Sequence, residues 1–221
     1  MKTLDHLLSA SPDPSQPLVT FYDMATGERV ELSTVTMANW VAKTSNFLVD
    51  DLDATLGTRI RLGLPSHWLT MVWILSAWKV GAAIVDDAAD IGVSGPDLVA
   101  DESVRVAASL RPLGGRFPVA PEGFLDLGAE VPGHGDHFMA LDLPGPDSVA
   151  LDLAGSVSTH AELLTSAPPS SDRRLVTPGT TGRDAGLIVG ACLGGGSLVI
   201  VSSASAEQIS AVRAQEGAHI H

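Results

Sequence analysis

The chain has 221 residues, of which 45% are hydrophobic, and this is enough to bury the core of one large domain or two small ones. Its formal net charge is −13, from 26 acidic and 13 basic residues, and the basic residues form no cluster. Because such a charge repels phosphate polymers and anionic lipids, neither nucleic acid nor membrane is expected as a partner.

Signals for export and membrane insertion are weak. Residues 1–8 include Asp5 and His6, where a secretory signal needs an uninterrupted apolar core. The longest apolar stretch, residues 68–85, contains Lys79 and falls short of a bilayer-spanning segment. Cys192 is the single cysteine and stands in an apolar, glycine-rich run, so we expect a buried thiol and no internal disulfide. These features predict a cytoplasmic protein.

The first half of the chain alternates between turn-rich and periodic segments. The alternating residues 18–23 and 30–32, on either side of a Thr26-Gly27 turn, predict a hairpin. The segments that follow predict a helix from Ser33 or Thr34 to about Asp51, a strand at 59–64, a helix at 68–80 capped by Ser66, and a strand at 82–85. This strand–helix–strand order predicts parallel pairing.

The second half repeats this alternation after an irregular stretch. Residues 97–100 are a further strand candidate, and residues 112–146 are rich in glycine and proline. The later segments predict strands at 148–153, 174–177 and 197–202, and helices that start at 159–162, span 184–193, and run from Ser205 to about Glu216.

Together these elements predict an α/β fold with mostly parallel sheets flanked by helices. We divide the chain into an N-terminal α/β lobe at 1–111, an irregular connection at 112–146, and a second α/β lobe at 147–221. The two lobes are expected to pack as one unit.

Three segments of the first half carry a family resemblance. Residues 21–33 (FYDMATGERVELS) resemble the early "D-x-x-T-G-E-R-x-T-Y" hairpin of adenylate-forming enzymes. Residues 57–66 (GTRIRLGLPS) resemble the family's "G-D-R-V-A-L-x-L-P-N" strand, and residues 77–82 (AWKVGA) its "A-x-x-K-A-G-A" helix end. The chain is therefore similar to the N-terminal part of the superfamily of acyl-CoA synthetases, AMP-binding enzymes and luciferases. It looks most like a short actinobacterial family of unassigned function that lacks the C-terminal domain.

Residues 177–186 (TPGTTGRDAG) resemble the nucleotide-phosphate loop of that superfamily, which runs T-S-G-T-T-G-R-P-K-G. Glycines allow several backbone amides to point at one anion, and a cation offsets the anion's charge. The candidate site for an anion, or for a nucleotide such as ATP or AMP, therefore consists of Gly179, Thr180, Thr181, Gly182 and Arg183.

Three neighbours argue against this site. Pro178 removes one amide donor, Ala185 stands where the lysine is expected, and Asp184 adds a negative charge. A structural turn is the competing interpretation.

The order of the motifs also favours a turn. In the family a Thr-His-x-x-Leu helix start follows the phosphate loop, whereas here it lies at residues 158–164, before the threonine-rich bend. Residues 186–201 resemble a family segment that lies well downstream of the loop. This alignment implies that the phosphate loop is deleted between Leu153 and Ser158, and that residues 178–183 replace a later loop at the acyl pocket.

The resemblance places the family's adenine, magnesium and ribose contacts, and its C-terminal catalytic lysine, beyond residue 221. Ordinary carboxylate adenylation is therefore not expected. We assign no catalytic residue and no cofactor.

Other side chains could bind a metal or a ligand. His134, Asp136 and His137 lie together in a glycine-rich loop, where a metal site competes with a solvated loop. His219 and His221 are expected to be exposed. The sequence contains no Gly-x-Ser-x-Gly elbow, so hydrolase chemistry has no support. The tryptophans are expected to fill or rim the core, with an apolar ligand face as the alternative; they are Trp40, Trp68, Trp73 and Trp78.

Three classes of function remain. The favoured one is a non-catalytic binding or interaction protein, whose uncovered faces predict a homo-oligomer or a protein partner. The second is a small-ligand protein with a nucleotide or acyl pocket at the strand ends. The third is a synthetase-like enzyme with altered chemistry.

Overall fold

The structure is a computed structural model that describes residues 2–11 and 13–220. Its strands are β1 (Pro17–Asp23), β2 (Glu28–Ser33), β3 (Arg59–Gly63), β4 (Ala83–Val85), β5 (Ile91–Ser94), β6 (Val104–Ala107), β7 (Leu125–Asp126), β8 (Val149–Leu153), β9 (Ser156–Thr159), β10 (Arg173–Val176), β11 (Ser197–Ser202) and β12 (His219–Ile220). Its α-helices are α1 (Thr34–Asp50), α2 (Trp68–Lys79), α3 (Leu127–Glu130), α4 (His160–Ser166), α5 (Thr181–Gly194) and α6 (Ala206–Glu216). Short 3₁₀ helices span Leu4–Ala10, Pro112–Gly114 and Val131–Gly133.

The strands form two sheets. One has the order β12-β10-β11-β1-β2, and the other has the order β7-β6-β5-β3-β4-β8-β9. Neighbouring strands are parallel except in the hairpins β1–β2 and β8–β9. The protein therefore has the expected α/β fold with mostly parallel sheets flanked by helices.

Helix α2 lies between the two sheets. Every residue from Trp68 to Trp78 is buried, and the helix contacts β1 of one sheet and β3 and β4 of the other. This explains why its sequence is apolar on all sides. Trp68, Trp73 and Trp78 are fully buried, and Trp40 is half-buried with its ring 5.1 Å from that of Trp68, so the tryptophans fill and rim the core as predicted. In the part of the chain that the structure describes, no helix is both long and apolar enough to cross a bilayer.

A second, smaller core lies on the other face of the five-stranded sheet. There α6 buries Val212 against strand residues that point away from α2. The members of this cluster are Tyr22, Leu175, Val199, Val201, Val212 and Ala218. The sheet is thus covered on both faces, as parallel sheets require.

Three local expectations were wrong. Residues 97–100 form no strand, and Leu98 has a positive φ of 56°; strands β5 and β6 lie on either side of them. Ser66 does not cap α2; instead His67 Nδ1 accepts the amide of Leu69 at 3.1 Å. Helix α5 starts at Thr181, three residues earlier than predicted, because Thr180 caps it.

The 112–146 segment contains short regular elements, and β7 forms an edge of the seven-stranded sheet. Both sheets combine strands from the two predicted lobes, since β1 pairs with β11 and β4 pairs with β8. The boundaries of the lobes 1–111 and 147–221 stay a prediction.

Candidate functional site

The threonine-rich bend connects the carboxyl end of β10 to the start of α5. Thr180 has extended backbone angles (φ −87°, ψ 154°), and its Oγ1 accepts the amide of Arg183 at 3.3 Å. This is the geometry of a helix N-cap, in which a threonine hydroxyl satisfies one of the free amides of the first turn. The hydroxyl of Thr180 is therefore engaged in a bond within the protein.

Arg183 turns back over the bend. Its Nη1 donates to the carbonyl of Thr177 at 2.8 Å, and a Cβ added to Gly179 would lie 2.5 Å from the same nitrogen. Gly179 thus leaves the space that the guanidinium fills. Its own amide donates to Oγ of Ser66 at 3.0 Å. Two of the groups expected to hold an anion consequently bind the protein itself.

Thr181 and Gly182 form the first turn of α5, where backbone amides have no partner inside the helix. A Cβ added to Gly182 would lie 3.5 Å from Cδ1 of Leu153, the last residue of β8. The fold therefore brings the bend next to the β8–β9 hairpin, although Thr180 lies 26 positions after Ala154 along the chain.

A buried carboxyl group lies in the same first turn. Asp184 is 1% exposed, and its Oδ1 has no hydrogen-bond partner among the described residues. Burial raises the pKa of Asp184, while the Ser66 hydroxyl and the charge of Arg183 lower it. An ionised Asp184 would repel a phosphate bound at this turn.

The β8–β9 hairpin occupies the position to which the sequence resemblance assigns the phosphate loop. Its two turn residues, Ala154 and Gly155, have φ values of 52° and 75°. Two successive positive φ angles are typical of the tight type I′ turn, which closes a hairpin with two residues. No glycine-rich loop separates β8 from α4, so the deletion inferred between Leu153 and Ser158 agrees with the structure.

The surroundings of this turn are acidic and already paired. The amide of Ala154 donates to Oδ2 of Asp86 at 2.6 Å. Asp152, in β8, forms a salt bridge of 3.1 Å with Arg59. These carboxylates make the end of β8 a poor place for an anion.

Helix α4 begins with the expected capping box. The Thr159 hydroxyl accepts the amide of Glu162, and the Glu162 carboxylate accepts the amide of Thr159. His160 follows and is fully buried. Its Nδ1 accepts the amide of Leu4 at 3.0 Å, and burial lowers the pKa of His160 to about 4. The sequence did not predict that His160 is buried and bonded to Leu4, because its only local signal is its place in the Thr-His helix start.

The candidate metal ligands lie in a loop that contacts residues of α1 and its C-terminal end. His134 Nε2 lies 3.1 Å from Oδ2 of Asp51, and Asp136 forms a 2.9 Å salt bridge with Lys43. Across the described residues, His134, Asp136 and His137 do not belong to any group of three or more metal-ligating side chains. Their loop is therefore packed on the protein rather than free in solvent.

The remaining candidates lie outside the bend. Cys192 is buried in α5, and burial raises the pKa of its thiol to about 12. His219 is exposed in β12, and His221 lies outside the described residues. The anion-binding role of residues 179–183 stays a prediction, and an anion bound by the amide of Gly179 would displace the bond of that amide to Ser66.

No family model matches the chain. The "TIGR03089 family protein" of Mycobacterium tuberculosis (strain ATCC 25618 / H37Rv) is 38% identical over 200 residues, which cover 82% of this chain and 79% of that protein. Such identity over most of both chains shows common family membership.

Solved structures share the fold. The Mycobacterium tuberculosis fatty acyl CoA synthetase matches 99% of this chain and 48% of its own, with a TM-score of 0.77 and 15% identity. A Brucella canis acyl-CoA synthetase has the same TM-score and identity, and the match covers 99% of this chain and 46% of the synthetase. The N-terminal domain of FACL13 from Mycobacterium tuberculosis has a TM-score of 0.75 and 16% identity, and the match covers 99% of this chain and 62% of that domain's chain.

The chain spans about half the length of the two synthetases, and the likeness confirms the inferred N-terminal fold of adenylate-forming enzymes. With the 38% identical relative, this leads to one conclusion: the chain belongs to the TIGR03089 family.

Proposed function

We propose that this protein is a non-catalytic binding or interaction protein built on the N-terminal fold of an adenylate-forming enzyme. The observation that carries the proposal is the two-residue turn at Ala154-Gly155. It closes β8 onto β9 where a nucleotide-phosphate loop is expected from the resemblance. Without a flexible loop, the chain offers no set of amides there that could converge on a phosphate.

Charge supports the same conclusion. Adenylation needs cations to stabilise the charge that develops on phosphorus, and losing them removes several kcal/mol of barrier lowering. Asp86 and Asp152 lie at the hairpin, and Asp184 lies in the first turn of α5. Arg183, the one cation of the bend itself, donates to the carbonyl of Thr177.

Exposed apolar side chains support a partner. The side chains concerned are at least 74% exposed; they are Leu113, Val119, Met139 and Leu141. A contiguous patch of exposed apolar groups is typical of surfaces that another protein covers, and we propose that these side chains belong to such a surface. A second copy of the chain or a different protein is the proposed partner, and the cytoplasm is the proposed compartment.

Two measurements test the proposal. Incubation with ATP and a panel of carboxylic acids should release no pyrophosphate. Light scattering after size-exclusion chromatography should show a dimer, or affinity purification should recover a partner. Sustained pyrophosphate release, or a monomer that recovers no partner, would contradict the proposal.

A cavity of about 460 Å³ favours small-ligand binding as a second candidate function. It lies between the first 3₁₀ helix and the carboxyl end of α5, and its lining includes Leu7, Arg173, Cys192 and Ser197. Its volume is in the range of small-molecule sites. Thermal unfolding with ATP, AMP or an acyl-CoA tests this candidate. An unchanged midpoint at millimolar ligand contradicts it, because a bound ligand stabilises the folded state.

A further inference from the structure

A second cavity, of about 500 Å³, lies at the β7 edge of the seven-stranded sheet. Its walls come from residues 111–121, from β7 and from α3. We call it the arginine groove and define it by Arg111, Arg116, Phe117, Phe124 and Leu125. None of the residues 177–183 of the threonine-rich bend lines it.

Two positive charges in the groove have no counter-charge. Within residues 2–11 and 13–220, the side chains of Arg111 and Arg116 form no salt bridge and no hydrogen bond. Four other arginines do pair with carboxylates; they are Arg29, Arg59, Arg61 and Arg173. Because Arg111 and Arg116 both line the groove, it carries local positive charge in a protein whose net charge is −13.

The carboxylates near the groove do not neutralise these arginines. Asp126 is buried, and its two oxygens accept the backbone amides of Phe117 and Gly128 at 2.8 and 3.0 Å. Glu130 also lines the groove, is exposed, and has no salt bridge in the described part of the chain. The guanidinium groups of Arg111 and Arg116 thus remain available to a ligand.

A third arginine supports the aromatic wall. The guanidinium of Arg105 lies 5.3 Å from the centre of the Phe124 ring, a cation–π contact. Its Nε is buried and has no partner among the described residues. Arg105 therefore holds Phe124 in place and adds positive charge behind the ring.

Exposed apolar residues lie in the groove and in the 111–121 segment that forms one of its walls. Leu113 is 74% exposed, Val119 is 81% exposed, and Leu125 is 38% exposed. Arginine and aromatic residues surrounded by such side chains are the composition of protein interfaces and of their most important contacts. Two arginines and two phenylalanines in one groove, with exposed apolar residues in the same segment, fit a length of polypeptide better than a small anion.

We propose that the arginine groove binds an extended, acidic segment of a protein partner. Carboxylates of the segment pair with Arg111 and Arg116, since guanidinium and carboxylate groups match in a two-point hydrogen bond. Apolar side chains of the segment pack on Phe117 and Phe124. This inference rests on the proposed interaction function and names the chemistry of the partner.

Fluorescence anisotropy with a labelled synthetic peptide of spaced glutamates and leucines tests the groove. The test variant is Arg111→Ala/Arg116→Ala. The matched control is Arg174→Ala/Arg213→Ala, which removes the same charge outside the groove. We expect the groove variant to bind about tenfold more weakly and the control to change by less than about twofold. A peptide with glutamine in place of glutamate should also bind about tenfold more weakly.

Three results overturn the proposal: equal weakening by both variants, equal binding of the glutamine peptide, or no saturable binding to the unaltered protein. Displacement of the bound peptide by inorganic phosphate points to a site for a small anion, and this result also overturns the proposal. If the groove variant is less stable than the unaltered protein, Arg111→Lys/Arg116→Lys replaces it in the measurement. Lysine keeps the charge but loses the two-point geometry.

The groove and the proposed function can fail separately. A partner that binds the unaltered protein and the groove variant equally well removes the groove proposal and leaves the interaction function. Pyrophosphate release from ATP removes the non-catalytic function and leaves the peptide measurements unaffected.

Discussion

The backbone amide of Leu4 donates a 3.0 Å hydrogen bond to Nδ1 of His160, a residue 156 positions further along the chain. The bond ties the first 3₁₀ helix to the start of α4, and Lys79 adds a second link by donating to the carbonyl of Asp5 at 3.0 Å. Because Nδ1 accepts this bond, the folded protein needs a neutral His160.

Stability should therefore fall in mild acid. Burial lowers the pKa values of His67 and His160 from 6.5 to about 4. Between these pH values the unfolded chain binds more protons than the folded chain, so the free energy of unfolding rises with pH. It reaches its full value above pH about 6.5. Each histidine contributes up to about 3 kcal/mol.

Urea unfolding at several pH values measures this dependence. His67→Asn keeps an acceptor for the amide of Leu69 and removes the titration, and His160→Asn does the same for Leu4. Between pH about 4 and pH 6.5, the free energy of unfolding of the double variant should change less with pH than that of the unaltered protein. An unchanged profile contradicts the assignment.

Asp184→Asn should stabilise the protein at neutral pH by about 1 kcal/mol. The pKa of Asp184 is raised, so its carboxyl favours the folded state below the unfolded pKa and loses that contribution as pH rises through the folded pKa. Asparagine has no charge to bury and still accepts the Ser66 hydroxyl.

Glu207 gives a matched control, because it is an exposed acid in the first turn of α6. Glu207→Gln should lose about 0.5 kcal/mol through the helix dipole. Thermal unfolding should therefore show opposite signs for the two substitutions, and the same sign for both speaks against a buried, costly Asp184.

Gly179→Ala should destabilise the protein by about 1 kcal/mol, because the new Cβ forces Arg183 away from the carbonyl of Thr177. In an Arg183→Ala background the same change should cost almost nothing. The double-mutant cycle measures this coupling directly. A cost that persists without Arg183 shows that the backbone, and not the guanidinium, requires glycine.

Ala154→Asn should stabilise the β8–β9 hairpin by about 0.5 kcal/mol. Ala154 has φ 52° and precedes Gly155, and asparagine–glycine is the preferred pair for a turn with two positive φ angles. Chemical unfolding measures the effect. A loss of stability is inconsistent with the turn described here.

Signals that act over a few residues were readable from the sequence. Both predicted capping boxes form, at Thr159 with Glu162 and at Ser205 with Gln208, because each needs only one helical turn. The apolar run of α2 also predicted a buried helix correctly, because a helix that is apolar on all sides is buried.

Contacts between distant residues were not readable. Ser66 reads as a helix cap, yet its hydroxyl accepts the amide of Gly179, 113 positions away. Arg183 reads as an anion ligand, but the bend places its guanidinium against Thr177. Strands β5 and β6 have four residues each, too few for a period of two to stand out.

The place of β1 between β2 and β11 also constrains synthesis. While the ribosome is still translating, β1 can pair with β2 as soon as both have emerged, but its other edge waits for residues 197–202. Until then the apolar strand PLVTFYD presents an open ladder of hydrogen-bonding groups. Nascent chains stalled before β11 should therefore be the form of this protein that chaperones hold and that aggregates first.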